Sequence, residues 1–172
     1  MIPAYASPEP LADHHILDAF QCRSSEQTLW LQRHARQSSA VGTTRVLVVT
    51  EMGSPVVVAY YGWCMAQLHV TDATPRLRKG GGRYPQPVAL LARLGVDTRH
   101  EARGLGAALL QDVFLRTLAL SSEIGCRALL VHAESAQARH FYRHLVPEFE
   151  DSPTDPLHLA LLTKDIRRAL RP

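Results

Sequence analysis

The residues with the clearest chemical meaning lie between positions 94 and 108, where an apolar run ends and a helix-like pattern begins. A short polar loop leads there to Gly104 and Gly106, two glycines at the start of the apolar-periodic stretch. Backbone N–H groups at a helix N-terminus have no intrahelical acceptor and, with the positive end of the helix dipole, bind phosphate. Glycine lets a phosphate approach closely because it carries no Cβ. The segment therefore predicts a phosphate-binding turn, with the charge of Arg103 beside it.

A glycine pair at a helix start is weak evidence alone, because ordinary strand-to-helix turns contain it about as often. Two better-known phosphate motifs are excluded. The chain has neither the Gly-Lys-Ser/Thr of a nucleotide P-loop nor a three-glycine dinucleotide fingerprint. A Gly-x-Ser-x-Gly nucleophile elbow is also missing from the sequence. His132-Ala133-Glu134 is similar to the His-x-Glu of zinc deaminases, but their Pro-Cys-x-x-Cys is absent.

The other titratable clusters predict no site. Four histidines have no cysteine or acid at metal-ligand spacing and are interpreted as solvated, so we expect no metal: His14, His15, His140 and His144. The three cysteines are too widely spaced for a zinc knuckle or a disulfide framework. The acidic residues Glu148, Glu150 and Asp151 are interpreted as a solvated loop.

Length and composition are those of one globular domain. With 172 residues, 46% of them hydrophobic and 20% charged, the chain can bury a core without metal or disulfide support. We expect a single domain over residues 1–172, with 1–15 as an irregular lead-in. No apolar run approaches the ~20 residues of a membrane span, and the N-terminus lacks a secretory pattern, so we expect a cytoplasmic protein without membrane association. Of its 19 basic residues 17 are arginine, whose planar fork suits phosphate, and this hints at a polyanionic partner.

Hydrophobic periodicity predicts alternating strands and helices. Ser24 is the expected N-cap of a helix that reaches about Arg36 and presents Leu29, Trp30 and Leu31 to a core. The predicted strands span 45–50, 56–70, 88–96, 127–133 and 157–163, the later helices span 104–123 and 135–145, and 71–86 is a loop. This order predicts an α/β fold in which a mixed antiparallel and parallel central sheet is flanked by helices on both faces.

Two motifs, separated by a predicted strand, together resemble the GNAT acetyltransferase family. The family signature Gln/Arg-x-x-Gly-x-Gly/Ala is similar to the segment 101–106 (EARGLG), where Glu101 replaces the usual glutamine or arginine. The second signature, Asn-x-x-Ala-x-x-Phe/Tyr-Tyr, is similar to the segment from Ser135 to Tyr142, where Ser135 replaces asparagine. The resemblance implies a GNAT fold and an N-acetyltransferase that uses acetyl-coenzyme A as acetyl donor.

The resemblance also implies a coenzyme site. The strand before the glycine turn would run alongside pantetheine, and the turn would hold the pyrophosphate. The residues implied are Leu94, Gly95, Val96, Glu101, Ala102, Arg103, Gly104, Leu105, Gly106, Ala107 and Ser135. Because a carboxylate is repelled by a pyrophosphate, we expect the side chain of Glu101 to point to solvent while its backbone contributes.

A narrower resemblance, to the TacT-type toxins, runs through most of the chain. It is carried by the segments 20–22, 29–31, 45–50, 88–96 and 152–159. TacT-type toxins are GNAT enzymes that acetylate the free α-amine of the amino acid on charged tRNA and so stop translation; a small ribbon–helix–helix antitoxin neutralises them. The resemblance implies aminoacyl-tRNA as substrate and such an antitoxin as partner, and it leaves a homodimer open. The sequence departs from the family in a slightly longer segment after Tyr142.

Acetyl transfer from a thioester needs a neutral amine, an oxyanion site and a proton for the departing thiolate. A free α-amine titrates at roughly 7.7–8.0, so a strong general base is dispensable. The resemblance places Tyr142 at the coenzyme sulfur, where its phenol is protonated at neutral pH because it titrates near ~10. On helical patterning alone, Tyr142 would be a packed residue beside Phe141. The backbone N–H groups around Leu94 to Val96 are the expected oxyanion donors.

Five basic residues, and no acidic one, lie between Asp72 and Asp97. They are Arg76, Arg78, Lys79 and Arg83 in the predicted loop and Arg93 in the strand after it. One interpretation is a clamp for the phosphates of the tRNA 3′ end, which would make binding sensitive to salt. The other interpretation is a solvated loop.

Two further functions stay open. An ordinary GNAT enzyme would acetylate a protein N-terminus or a small amine and would not need the basic residues of the loop. A non-catalytic module would bind acetyl-coenzyme A or RNA, but the presence of Tyr142, Gly104 and Gly106 argues against it.

Overall fold

The structure is a computed structural model that describes residues 3–171. Its strands are β1 (Glu9–Pro10), β2 (Arg45–Thr50), β3 (Val57–Leu68), β4 (Gln86–Val96), β5 (Ala128–His132), β6 (Glu150–Asp151) and β7 (His158–Leu162). Its helices are α1 (Ser25–Arg33), α2 (Ala35–Val41), α3 (Pro75–Arg78), α4 (Leu105–Glu123), α5 (Ala136–Leu145) and α6 (Thr163–Ala169). Short 3₁₀ turns lie at Val70–Asp72 and Thr98–His100.

The strands form one mixed sheet in the order β1-β2-β3-β4-β5-β7-β6. The pairs β1–β2, β2–β3, β5–β7 and β6–β7 are antiparallel. β4 and β5 are parallel, with Ala89–Leu91 opposite Leu129–Val131, and the long helix α4 makes the crossover that parallel strands require. With helices flanking the sheet, the predicted mixed α/β fold is confirmed.

The chain forms two compact units. One comprises the chain up to Cys64 together with Ala92–Asp112, and the other comprises Met65–Leu91 together with the chain from Val113 onward. The strands β3 and β4 each run from one unit into the other. Each unit has its own buried apolar cluster. The single domain over residues 1–172 stays a prediction.

The first unit is built around α1 and the strands β2 and β3. Ser24 caps α1 as predicted, because its hydroxyl accepts a hydrogen bond from the N–H of Gln27 at 3.1 Å. Leu31 is fully buried, which contributes about 2 kcal/mol. The hydroxyl of Tyr60 donates to the Gln27 carbonyl at 2.7 Å and so ties β3 to the helix. Leu29 is 41% exposed, so its predicted place in the core is wrong.

One buried apolar cluster of the second unit lies on one face of the central strands. Leu77 on α3 is fully buried in a cluster with Leu68, Val88 and Leu130. The predicted loop over 71–86 is therefore wrong at its centre, where α3 forms. A threonine N-cap and a proline in the first turn are the start signals that the neighbouring glycines outweighed.

Three elements, β1, β6 and α6, had no sequence pattern from which they could be predicted. β1 is a two-residue edge strand with a proline, and it pairs with β2 inside the predicted irregular lead-in. β6 (Glu150–Asp151) lies within the acidic segment predicted to be a solvated loop, and that prediction is wrong there. The predicted first helix also divides at His34 into α1 and α2, and α6 follows β7 without a predicted counterpart.

Candidate active site

Asp97 anchors the segment that follows β4. It is fully buried and accepts hydrogen bonds from the N–H groups of Gln21 at 3.0 Å and Arg99 at 2.9 Å. The Arg99 guanidinium also binds both carboxylate oxygens at 2.9 Å. Burial by itself would raise the pKa of Asp97, but these hydrogen bonds lower it to about 2. The carboxylate therefore stays ionised and holds the start of the turn in place.

The turn between β4 and α4 bends through two left-handed residues. Ala102 has φ 58° and Gly104 has φ 80°, and such a conformation is rare for any residue but glycine. Successive N–H groups along such a bend can converge on an anion. The first intrahelical bond of α4 runs from the Ala108 N–H to the Gly104 carbonyl, so the N–H groups of Leu105, Gly106 and Ala107 have no intrahelical acceptor. This is the geometry predicted for a phosphate site.

Glu101 does not point freely to solvent, so that prediction is wrong. The Arg23 guanidinium donates three hydrogen bonds of 2.8 to 3.1 Å to the Glu101 carboxylate. Hydrogen bonding to Glu101 is also the main cause that raises the pKa of Arg23. The positive fork of Arg23 offsets the negative charge at a turn that is proposed to hold phosphate. This ion pair could not be predicted from the sequence, because the two residues lie 78 positions apart.

A cavity of about 400 Å³ opens beside the start of α4. The segment 5–8 forms one side, and Arg103, Gly104, Leu105 and Ala108 lie on the other. Arg103 donates to the Tyr5 hydroxyl at 3.0 Å, so its guanidinium is held at the cavity wall. Tyr5 was missed as a site residue, because nothing in the proline-rich lead-in indicated where it would pack.

Gly95 has a structural reason to be glycine. A Cβ at this position would lie 3.0 Å from the Tyr60 ring, 3.3 Å from the Phe20 ring and 3.4 Å from the Cys22 sulfur. Any side chain would push these rings aside. The Leu94–Val96 backbone thus runs against a buried aromatic pair, and its assignment to pantetheine and the oxyanion stays a prediction.

Tyr142 lies in the second unit and is only 6% exposed. Its ring makes edge contacts with Phe141 and Phe149, at centroid distances of 5.2 and 6.2 Å. Burial, followed by the negative charge of Glu134, raises the pKa of Tyr142 well above its usual value, so the phenol keeps its proton throughout the physiological range. Ser135 caps α5 as expected, accepting from the Ala138 N–H at 3.1 Å. Its proposed contact with the coenzyme stays a prediction.

Three of the five basic residues predicted to bind tRNA make internal contacts instead. Arg76 binds the buried carboxylate of Asp165 at 2.6 Å and that of Glu150 at 3.0 Å. Arg78 donates to three backbone carbonyls, at 3.0 to 3.2 Å, in the turn before α3. Arg93 pairs with Glu26 at 2.9 Å and lies over the ring of Trp30 at 5.2 Å. Each of these guanidinium groups already has partners within the chain, and the tRNA contact of Arg76, Arg78 and Arg93 stays a prediction.

Lys79 and Arg83 are exposed, on either side of three glycines. Tyr84, next in sequence, is 81% exposed, the largest exposure among the large apolar side chains in the described part of the chain. An exposed aromatic ring beside cationic side chains is typical of single-stranded nucleic acid binding. Tyr84 was missed, although its place directly after Arg83 was visible in the sequence.

One metal-like cluster forms that spacing did not predict. Ligand atoms of Glu9, His14 and His15 lie within 4.8 Å of one another. His15 is buried, with one ring nitrogen 2.9 Å from Glu9 and the other accepting from the Ala12 N–H at 2.9 Å. Both nitrogens of His15 are therefore engaged in fixing the lead-in.

Comparison with known proteins shows the family to which this chain belongs. Residues 6–145 match the Acetyltransferase (GNAT) family. The chain is 38% identical over 163 residues to a tRNA-acetylating toxin of Mycobacterium tuberculosis, covering 95% of each chain. The chain therefore belongs to the GNAT acetyltransferases, which confirms the resemblance drawn from the two motifs.

Two further proteins are similar to this chain. The chain is 26% identical to a probable toxin TacT of Sinorhizobium fredii over 92% of each chain. Its fold is similar to that of AtaT complexed with acetyl-methionyl-tRNAfMet, with a TM-score of 0.86 and 22% identity over 96% of this chain and 99% of that one. Within residues 3–171 there is no helix whose length and apolar character would let it span a membrane.

The phosphate turn predicts different effects for two isosteric side chains at Gly104. Asparagine and aspartate both tolerate the left-handed region, and the position has open space around it. We expect Gly104→Asp to lower acetyl-coenzyme A affinity at least tenfold more than Gly104→Asn, because only aspartate repels a phosphate. Isothermal calorimetry on the folded variants measures this difference.

Gly53 offers the matched control. It has the same φ of 80°, in the turn between β2 and β3, and a Cβ there also meets nothing within 4 Å. Gly53→Asp carries the same backbone strain and should leave acetyl-coenzyme A affinity unchanged. Equal affinities for the two Gly104 variants would contradict the phosphate assignment.

Proposed function

We propose that this acetyltransferase transfers the acetyl group of acetyl-coenzyme A to the free α-amine of the amino acid on charged tRNA, which blocks translation. The observation that carries the proposal is the 38% identity, over 95% of both chains, to a tRNA-acetylating toxin. The alternative is an ordinary GNAT enzyme acting on a protein N-terminus or a small amine. The internal contacts of Arg76, Arg78 and Arg93 favour this alternative, because an ordinary enzyme would not need these residues to bind tRNA.

The coenzyme pyrophosphate is proposed to lie at the N-terminus of α4. Three features support this position: the N–H groups without an intrahelical acceptor, the left-handed bend at Gly104, and the offset charge of Glu101. Arg103 is fixed at the adjoining cavity and adds a positive charge there. Donors and charge thus come mainly from backbone and from side chains already held by other contacts.

Tyr142 is proposed to protonate the departing thiolate. The bound coenzyme supplies the acetyl group as a thioester, which a neutral amine can attack. As the carbon–sulfur bond breaks, the Tyr142 hydroxyl gives its proton to the sulfur and later regains one from the nitrogen that has formed the amide. Burial supports this role, because it keeps the phenol protonated, so that a proton is present when the thiolate forms.

The tRNA is proposed to contact the loop 79–84. Lys79 and Arg83 would neutralise phosphates, and the exposed ring of Tyr84 offers a surface on which a base can stack. The glycines between them, two with φ of 82° and 69°, let the loop adapt to an irregular single strand.

The wider setting follows from the same proposal. Charged tRNA is a cytoplasmic substrate, so we place the protein in the cytoplasm. We also propose a small ribbon–helix–helix antitoxin as partner, and a homodimer as the oligomeric state to be tested. Both compact units are proposed to act as one GNAT domain over residues 1–172.

Replacing Tyr142 by phenylalanine tests the proposed acid. We expect Tyr142→Phe to lower kcat by about 10²–10⁴-fold, because a positioned proton donor is removed, with acetyl-coenzyme A affinity unchanged. Stopped-time assays with charged tRNA measure kcat. Tyr84→Phe removes an exposed hydroxyl and is the control, expected to turn over normally. Turnover of Tyr142→Phe within a few-fold of wild type would show that Tyr142 only packs.

Removing the two exposed cations tests the nucleic-acid substrate. In Lys79→Ala/Arg83→Ala the KM for charged tRNA should rise, and the slope of log affinity against log salt should flatten by about one unit for each phosphate that is no longer neutralised. The control, Arg167→Ala/Arg171→Ala, removes the same charge from exposed positions near the C-terminus. Equal effects of the two pairs would mean that only net charge matters, and the loop assignment would be wrong.

A further inference from the structure

The second compact unit contains a cavity of about 350 Å³ beside the end of β5. Its apolar wall comes from β3, β5 and β7, and its polar wall includes Asp72, His132, Ser152, Thr154, Asp155 and His158. The volume lies at the lower end of the range for small-molecule sites. A cavity with an apolar floor and converging polar groups suits a small polar end group.

Two histidines form the centre of the polar wall. His132 on β5 and His158 on β7 are opposite each other in the antiparallel register. Their rings are stacked, with centroids 3.7 Å apart and planes inclined by 13°. Two imidazoles this close repel when both are charged, so a proton on either ring disfavours a proton on the other. His158 lies 3.5 Å from the carboxylate of Asp155.

The loop between β6 and β7 is held rigidly around this pair. Asp155 accepts from the Leu157 N–H at 2.9 Å, and its own N–H donates to the Ser152 hydroxyl at 3.3 Å. Thr154 donates to Asp72 at 2.6 Å, which closes the loop against the turn after β3. The carboxylates of Asp72 and Asp155 give the cavity a negative side that attracts a cationic group.

The surroundings of His132 make it a base that is ready at neutral pH. Burial, and then the charge of His158, lower its pKa, while Asp155 opposes the change. The neutral form of His132 therefore predominates well below the pH at which an α-amine loses its proton. None of the steps assigned above to Tyr142 or to the glycine turn uses this pair.

We propose that this cavity receives the α-ammonium group of the acceptor and that His132 accepts the proton that this group must lose before it can attack. The inference rests on the proposed function and names its acceptor site. The ligand is a primary α-ammonium next to an ester or amide carbonyl, as in an aminoacyl group. Asp155 is a positioning residue, because its carboxylate lies against His158, the ring that stacks on His132.

The proton balance is complete without another reagent. The ammonium nitrogen gives one proton to His132, which passes it to water, and the neutral nitrogen then forms the new C–N bond. The second proton leaves the nitrogen as the amide forms, and the thiolate takes one from Tyr142. The products are an N-acetyl amide, a free thiol and one proton in solution.

The test is the pH dependence of kcat/KM with glycinamide, a minimal α-amine acceptor, between pH 6 and 9. If the wild-type enzyme binds the ammonium form, the acidic limb of its pH profile follows the titration of His132. That limb then lies below the pKa of the amine. In His132→Gln only the neutral amine reacts, so the limb moves up to roughly 7.7–8.0. The variant should therefore be slower by about 20-fold at pH 6.5 and be nearly equal to wild type at pH 9.

Two further variants separate catalysis from structure. His158→Gln removes the neighbouring charge and should move the acidic limb upward by a smaller step, because His132 then titrates at higher pH. His144→Gln, at an exposed position on α5, should leave the profile unchanged. A reduction in His132→Gln that is equal at every pH, or a wild-type limb already at the pKa of the amine, would overturn the proposal.

The two proposals fail separately. If wild-type enzyme acetylates glycinamide but no charged tRNA, the proposed function is wrong, and the pH profiles still decide the role of His132. If charged tRNA reacts and glycinamide does not, the same profiles are recorded with charged tRNA between pH 6 and 8. A profile there that is unchanged in His132→Gln overturns the inference and leaves the proposed function standing.

Discussion

The buried carboxylate of Asp97 is the interaction on which the turn between β4 and α4 depends. It fixes the end of β4, the 3₁₀ turn after it and the segment that carries Gln21 in one arrangement. Its pKa of about 2 lies below the usual 3.8, so this stabilisation is present above roughly pH 4 and disappears as the pH falls toward 2. Without this anchor, the left-handed bend at Gly104 would have no fixed starting point, and the N–H groups at α4 would not be held ready for an anion.

Several arginines of this protein form ion pairs with carboxylates of the same chain. Arg23 offsets Glu101, Arg76 satisfies the buried Asp165, and Arg93 joins β4 to α1. The carboxylate of Asp165 is buried and would be costly without such a partner, so Arg76 stabilises the fold. The proposed phosphate site uses backbone N–H groups, which need no side-chain ordering. The exposed Lys79 and Arg83 lie in one glycine-rich loop, which gives the proposed tRNA contact a defined place.

Sequence reasoning succeeded where the signal is local. The β2 strand, the Ser135 cap and the glycine turn each depend on residues within a few positions of one another, and each formed as predicted. It failed where partners are far apart in the chain. The Arg23–Glu101 pair could be found only from coordinates, as could the stacking of His132 on His158. A basic stretch could likewise not show that Arg76 is already bound by carboxylates from later in the chain.

The most direct measurement locates the transferred acetyl group. Purified protein is incubated with total charged tRNA and isotopically labelled acetyl-coenzyme A, the RNA is digested with nuclease, and the fragments are examined by mass spectrometry. Deacylated tRNA is the matched control, since it presents the same phosphates without the amine. We expect label on the α-nitrogen of aminoacyl-adenosine and none on deacylated tRNA. Label confined to protein N-termini or small amines, with unmodified aminoacyl-adenosine, would contradict it.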